Sequence, residues 1–325
     1  MLKLSVVTTM YNSAQYLPKC INSLLDQDIA LDEYEIILVN DGSPDDSKAI
    51  ADDYARQFGN IKVLSHANKG LAGARNTGLS AAKGKYLRFV DPDDYVEPNT
   101  FSSLLEQMEK ENLDMLRFDY RMVNESYCIV DKPKGVKWID YSSCIMDGES
   151  FLYDRLGFGC FVWTFVYRLS FLQETGIPFV EGAYFDDTNW LPKVLRRAKS
   201  VNSTSKVAYY YYQRQGSLLN TVSEASRKAK EKGQIQLIGN LKTNYDQETS
   251  QKVRQWYRSM ISSCAFSMLM SSPADKWNDT LVKMKRMNLL PFRIHKTTPK
   301  VRLKLMIVNA FPHVYGFVRR LRKKI

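Results

Sequence analysis

The chain has 325 residues, 44% hydrophobic and 25% charged, which suits one large α/β domain with an appendage or two modest globular domains. Its net charge of +11 is concentrated: residues 280–325 carry thirteen Lys and Arg and no Asp or Glu, so an anionic partner is implied for the tail and not for the nearly neutral body. Five scattered cysteines (Cys20, Cys128, Cys144, Cys160, Cys264) and three distant histidines (His66, His295, His313) argue against a disulfide framework and a histidine-rich zinc site, and point to a reducing, cytoplasmic compartment.

The opening residues read as a buried strand over 4–9 rather than a leader. Leu17, Cys20, Ile21, Leu24 and Leu25 recur at helical spacing. A strand buried on both faces follows over 35–40, then a helix over 44–58 with Ser43 as its N-cap. Residues 61–64 form a third strand, 70–83 a helix closed by Gly84, and 86–90 a fourth strand. This alternation predicts a mostly parallel sheet covered by helices on both faces. Beyond Asp91 the pattern is mixed, with a helix over 101–110, strands over 115–123 and 206–212, and a helix over 187–197. From Ser223 only helical patterns remain, broken by Pro273, Pro291, Pro299 and Pro312. The boundary near 220–225 is therefore a change of structural class. No run of 18 apolar residues is present, so no helix is expected to cross a membrane.

In an open parallel sheet, ligands bind beyond the carboxyl ends of the strands. Here those ends are polar: Thr8-Thr9-Met10-Tyr11-Asn12, Asn40-Asp41-Gly42-Ser43, Asn68-Lys69-Gly70 and Asp91-Pro92-Asp93-Asp94. The last is the sharpest signal. Three carboxylates within four residues repel one another unless a cation neutralises them, and hard oxygen ligands suit Mg²⁺ or Mn²⁺. Asp41 precedes a glycine and could hold ribose hydroxyls or a base N–H, or cap the following helix. Arg75 and Asn76 sit in a small-residue helix, Gly70–Gly78, that could lie close to the sheet or to a ligand. Asp186 and Asp187 follow Tyr184-Phe185, and a carboxylate beside aromatic surface suits a general base. Arg214 and Ser217 end an aromatic strand in a turn that could meet a diphosphate.

Taken in order, these segments resemble family 2 glycosyltransferases over roughly residues 1–220. The opening strand with its Tyr-Asn turn, Asn40-Asp41-Gly42-Ser43, the Asn68–Gly78 segment, the acidic Asp91–Asp94 motif, Phe185-Asp186-Asp187 and the Arg214–Ser217 turn match that family's sequence of motifs. Three positions depart from it: Thr9 replaces a frequent Pro, Pro92 a frequent Ser, and Asp186 the Glu of a Glu-Asp pair. The resemblance implies a GT-A domain, a Rossmann-like nucleotide-diphospho-sugar transferase fold, over 1–222, with a helical C-terminal region over 223–325. It implies an inverting, metal-dependent transfer from a nucleotide-sugar donor, UDP-linked in most relatives, to the hydroxyl of a glycan or lipid-linked acceptor in surface polysaccharide synthesis. Asp93 and Asp91 would hold Mn²⁺ or Mg²⁺. Asp187, with Asp186 beside it, would be the base. Thr9, Tyr11, Asn12, Asp41, Asn68, Arg75, Asp91, Arg214 and Ser217 would contact the donor.

The tail, about 283–325, interleaves its charges with Leu303, Leu305, Met306, Ile307, Val308, Phe311, Tyr315, Phe317 and Val318. That mixture predicts one or two amphipathic helices on an anionic membrane surface, placing the protein peripherally on the cytoplasmic face. A nucleic-acid-binding tail is the competing reading from another class, and no nucleic acid is expected. A sugar-1-phosphate nucleotidyltransferase would need a basic, glycine-rich loop after the first strand, yet residues 8–18 contain neither glycine nor a basic residue.

Overall fold

The computed structural model describes residues 2–130, 144–157, 159–213, 224–295 and 299–321. It forms two compact units, one holding the described residues up to 155 and from 159 to 213, the other Leu156, Gly157 and those from 224 onward.

The first unit is a mixed α/β sheet. In chain order it comprises β1 (Leu4–Met10), α1 (Leu17–Leu25), β2 (Tyr34–Asn40), α2 (Ser47–Gln57), β3 (Ile61–Ser65), α3 (Gly70–Ala81), β4 (Tyr86–Phe89), α4 (Phe101–Lys110) and β5 (Met115–Val123). After these come β6 (Ile129–Val130), α5 (Gly148–Phe151), β7 (Phe165–Arg168), α6 (Leu169–Thr175), α7 (Asp186–Leu195) and β8 (Val201–Tyr212). The sheet order is β3-β2-β1-β4-β7-β5-β6, with β8 also paired to β5. β1 is buried at every position, its Ser5, Thr8 and Thr9 included, as a strand covered on both faces is. It pairs in parallel with β2, Leu4 opposite Tyr34 and Met10 opposite Asn40, and with β4, Val7 opposite Phe89.

The sheet departs from the mostly parallel expectation at β7, which lies antiparallel between β4 and β5. Its first three residues close an aromatic-rich run, Phe161–Tyr167, that shows no alternation of apolar and polar positions. Two predicted caps also differ. α2 starts at Ser47, because Ser43 is drawn to Asp45 and accepts the Asn12 N–H at 2.8 Å. α3 ends at Ala81, and Gly84 serves instead as a contact with β1, where a Cβ would stand 2.5 Å from the Leu4 carbonyl carbon and the Ser5 nitrogen. Gly78 works in the same way. A Cβ there would meet Val7 Cγ1 at 2.2 Å, so the glycine lets α3 lie directly on β1.

The second unit is all helical: α8 (Glu224–Gln247), α9 (Gln251–Ser271), α10 (Trp277–Arg286), α11 (Pro299–Ala310) and α12 (Pro312–Leu321). Ile238, Leu269, Trp277, Leu281, Met284, Leu305 and Val308 belong to its core. Trp277 donates Nε1–H to the Pro312 carbonyl at 2.9 Å, and Asn309 bonds both the N–H and the carbonyl of Phe292. α11 is thus a two-faced helix. Leu305 and Val308 are inside, while Leu303 and Met306 are exposed, as are Phe311, Val314 and Phe317. Arg322, Lys323 and Lys324 lie outside the described residues.

Candidate active site

The parallel register brings the ends of β1, β2, β3 and β4 to one edge of the sheet. Beyond β4 the chain turns at once: the Asp94 N–H donates to the Asp91 carbonyl at 3.1 Å. Strand β8 clamps this turn. Tyr209 Oη accepts the Asp91 N–H at 3.1 Å and donates to Asp94 Oδ2 at 2.6 Å, while the Tyr212 N–H reaches Asp94 Oδ1 at 2.7 Å. Asp94 is therefore buried with both oxygens engaged, a structural anchor of the acidic turn. Burial, followed by the charges of Asp93 and Asp91, pushes its carboxyl well above the usual range, against the two hydrogen bonds. Asp93 is half-buried on the same turn.

Arg75 joins this turn to α7. Its guanidinium, only 2% exposed, bonds Asp91 Oδ1 through Nη2 at 3.0 Å and Asp186 Oδ2 through Nη1 at 2.8 Å, and also bonds Asp187 Oδ1. Ala72, Gly73 and Ala74 keep this stretch of α3 small and buried. The planar, permanently charged fork is what allows one side chain to serve three carboxylates. Asp186 and Asp187 occupy the first turn of α7, where the helix dipole favours negative charge. Asp187 Oδ2 also accepts the Val162 N–H at 3.3 Å. Burial raises its pKa to about 7. The Asp186 and Asp91 charges add to that rise, while Arg75 and the Val162 N–H oppose it.

A second cluster gathers at the ends of β2 and β3. Asp41 Oδ1 accepts the Lys69 N–H at 2.7 Å and lies 3.3 Å from His66 Nδ1. Gly42 takes φ +68°, and its backbone passes so close to Asn68 that a Cβ would sit 3.1 Å from the Asn68 nitrogen. Asn68 itself accepts the Gly70 N–H at 3.2 Å. Asn12 adopts φ 52°, Thr9 is buried, and Tyr11 projects its ring outward, 54% exposed.

The structure thus gathers Arg75, Asp91, Asp186 and Asp187 into one contact network and places Asp41 and Asn68 together in another. Arg214 and Ser217 lie outside the described residues. Sequence reasoning passed over His66, the Val162 N–H and the Tyr209–Asp94 bond. Only the repulsion among three adjacent carboxylates hinted that one of them needed hydrogen bonds of its own.

The same segments are matched in known proteins. Residues 5–155 match glycosyl transferase family 2. That stretch carries the family's domain. Bacillus subtilis EpsJ, named an uncharacterized glycosyltransferase, is 33% identical over 226 residues, covering 66% of this chain and 62% of its own. GgaB of the same organism, named a minor teichoic acid biosynthesis protein, is 42% identical over 102 residues, 31% of this chain and 11% of its own. The chain therefore spans less than two thirds of either relative's length. Among solved structures, S. aureus TarS 1-349 in complex with UDP-GlcNAc superposes with a TM-score of 0.66 at 22% identity, covering 86% of this chain and 80% of that one. That likeness establishes the GT-A fold.

Proposed function

We propose that this chain transfers a sugar from a nucleotide-diphosphate donor, UDP-linked, to an acceptor hydroxyl with inversion at the anomeric carbon. The observation that carries the reading is the joining of the acidic turn to Asp186 and Asp187 through the buried Arg75, with Asp187 poised near neutrality. Asp187 takes the acceptor proton as the acceptor oxygen bonds the anomeric carbon. The bond from that carbon to the diphosphate breaks, and its electron pair leaves with the diphosphate. Arg75 acts as a positioning residue between the two acidic segments rather than as a donor contact. Asp41, His66 and Tyr11 border the nucleotide side.

The donor set fits a divalent cation. Asp94 has both oxygens engaged, which leaves Asp93 and the second oxygen of Asp91 as hard ligands. One or two carboxylates are the usual protein share for Mg²⁺ or Mn²⁺ at a diphosphate, in keeping with the absence of any larger metal-ligating cluster among the described residues. Bound there, the ion would supply charge neutralisation for the departing diphosphate. The test is a screen of UDP-, GDP- and dTDP-sugars with Mn²⁺ or Mg²⁺, reading release of the nucleotide. The reading predicts UDP release that is lost on Asp187→Asn. Release unaffected by that change would refute it.

The acceptor is proposed to be a lipid-linked or surface glycan, a class supported by the similarity to GgaB, a minor teichoic acid biosynthesis protein. The tail supports delivery at a membrane surface. No helix among the described residues is long and apolar enough to cross a membrane, yet Leu303, Met306, Phe311, Val314 and Phe317 are all exposed. Deleting the tail would strip Leu305 and Val308 from the helical core, so point changes are the better probe. Full-length protein should float with anionic vesicles, and Met306→Ser/Phe311→Ser/Phe317→Ser should not. Equal flotation of the two would defeat membrane docking.

A further inference from the structure

The helical unit contains a second polar site. Arg254 and Arg258, four residues apart, share one face of α9, and the segment after α10 brings Arg293 and His295 beside them. That segment is pinned to the helix: the Arg293 N–H donates to Ser262 Oγ at 3.0 Å and the His295 N–H to Ser259 Oγ at 2.7 Å. Tyr245 of α8 closes the side, with the Arg254 guanidinium 4.6 Å from its ring centroid. Gln255 Nε2 lies 3.4 Å from His295 Nδ1. These residues line an open concavity of about 410 Å³ in which no Asp or Glu takes part.

Three exposed arginines share this lining with no carboxylate among them, and among the described residues none of the three has an ion-pair partner. One wall of the concavity is held in place by side-chain to backbone bonds.

We propose that this concavity binds the phosphoryl group of a phosphate-bearing ligand. Guanidinium forks match phosphate oxygens two at a time. A carboxylate offers two oxygens and one charge, too little to serve three forks. A phosphoryl group offers three or four oxygens around a tetrahedral centre and up to two charges. The same chemistry could come from free phosphate or from the headgroup of an anionic lipid. The site does not depend on the transferase reading, since it lies entirely in the helical unit.

The experiment uses the full chain at near-physiological salt. Inorganic phosphate is titrated calorimetrically, and phosphatidylglycerol and phosphatidylcholine vesicles are tested by flotation. UDP binding is followed in parallel, because it reports the other unit. Arg258→Gln/Arg293→Gln should weaken phosphate binding about tenfold or more while leaving UDP binding and the melting curve unchanged. If wild type ignores free phosphate but the variant loses the preference for phosphatidylglycerol, the proposal stands with a lipid headgroup as the source. Should the glutamine variant melt early, Arg258→Lys/Arg293→Lys decides by the same readings, since it keeps the charge and loses the fork. The proposal is overturned if wild type binds neither probe, if variant and wild type bind both alike, or if UDP affinity falls in step with phosphate affinity.

Discussion

Replacing Arg75 with methionine tests the central contact of the site. The change keeps the length of the side chain and removes the charge that Asp91, Asp186 and Asp187 share. Breaking a buried ion pair by deleting one partner costs about 3–5 kcal/mol, because the remaining charge is left unmatched. The lower end applies here: Asp91 and Asp187 side chains are 24% and 20% exposed, and Asp187 already titrates near 7, so protonation relieves part of the conflict. A loss of about 3 kcal/mol in a unit of this size lowers Tm by about 6–12 °C. Without the Arg75 charge, which holds it down, the folded-state pKa of Asp187 rises further above its unfolded value. The stabilising effect of Asp187 is then present at low pH and lost as pH rises through that value, so the deficit should be larger near pH 8 than near pH 5. Thermal melts across that range provide the assay, with Asp186→Asn added in the same background. Removing one of the unmatched carboxylates should recover part of the loss, giving a coupling energy of about 0.5–3 kcal/mol. An Arg75→Met protein as stable as wild type at pH 8, or a double variant no better than the single one, would refute the shared-guanidinium argument.

Asp187→Asn should lower kcat by about 10²–10⁴ while UDP affinity holds, and wild-type kcat/KM should rise with pH through about 7. The same raised value means that the stability Asp187 contributes is full below its ordinary 3.8 and lost as pH rises through about 7, which melts of the two proteins would show. Asp93→Asn should abolish metal-stimulated UDP binding without shifting the melting curve, as read by calorimetry with and without Mn²⁺. Tyr209→Phe removes the hydroxyl shared by Asp94 and the Asp91 N–H and should cost about 1–3 kcal/mol, measured by urea unfolding. Gly84→Ala should cost about 1–3 kcal/mol because its Cβ meets β1 backbone at 2.5 Å, whereas Gly59→Ala, with nothing within 4 Å, should not destabilise.

The parallel half of the sheet was legible because each of its strands announces itself twice. β1, β2 and β4 are short runs rich in apolar and β-branched or aromatic residues, and each ends in residues that start a turn. α1 showed the same clarity, since Leu17, Cys20, Ile21 and Leu24 recur at helical spacing and all four are buried. β7 was illegible for the opposite reason. Phe165–Arg168 lies in a stretch where nearly every residue is apolar, and periodicity cannot separate a short buried strand from its buried neighbours. The N-terminal half of β8 carries Asn202, Ser203, Thr204, Ser205 and Lys206, a polar stretch that hid its pairing with β5.

The site was legible as a set of positions and not as a set of bonds. Asp91, Asp93 and Asp94 look alike in sequence, yet burial divides them: Asp94 turns inward to Tyr209 and the Tyr212 N–H, Asp91 turns to Arg75, and Asp93 stays half-buried on the turn. Arg75 reads from sequence as a donor contact, and nothing in that reading shows its carboxylate partners, which lie 16, 111 and 112 positions away. Such pairings depend on how α3 and α7 meet across the sheet, and no local pattern encodes them. The tertiary arrangement that hides the bonds from sequence also gives them their chemical effect. By burying one guanidinium among carboxylates of unequal exposure, the fold leaves Asp187 with its proton affinity near neutrality, the condition a general base requires at physiological pH.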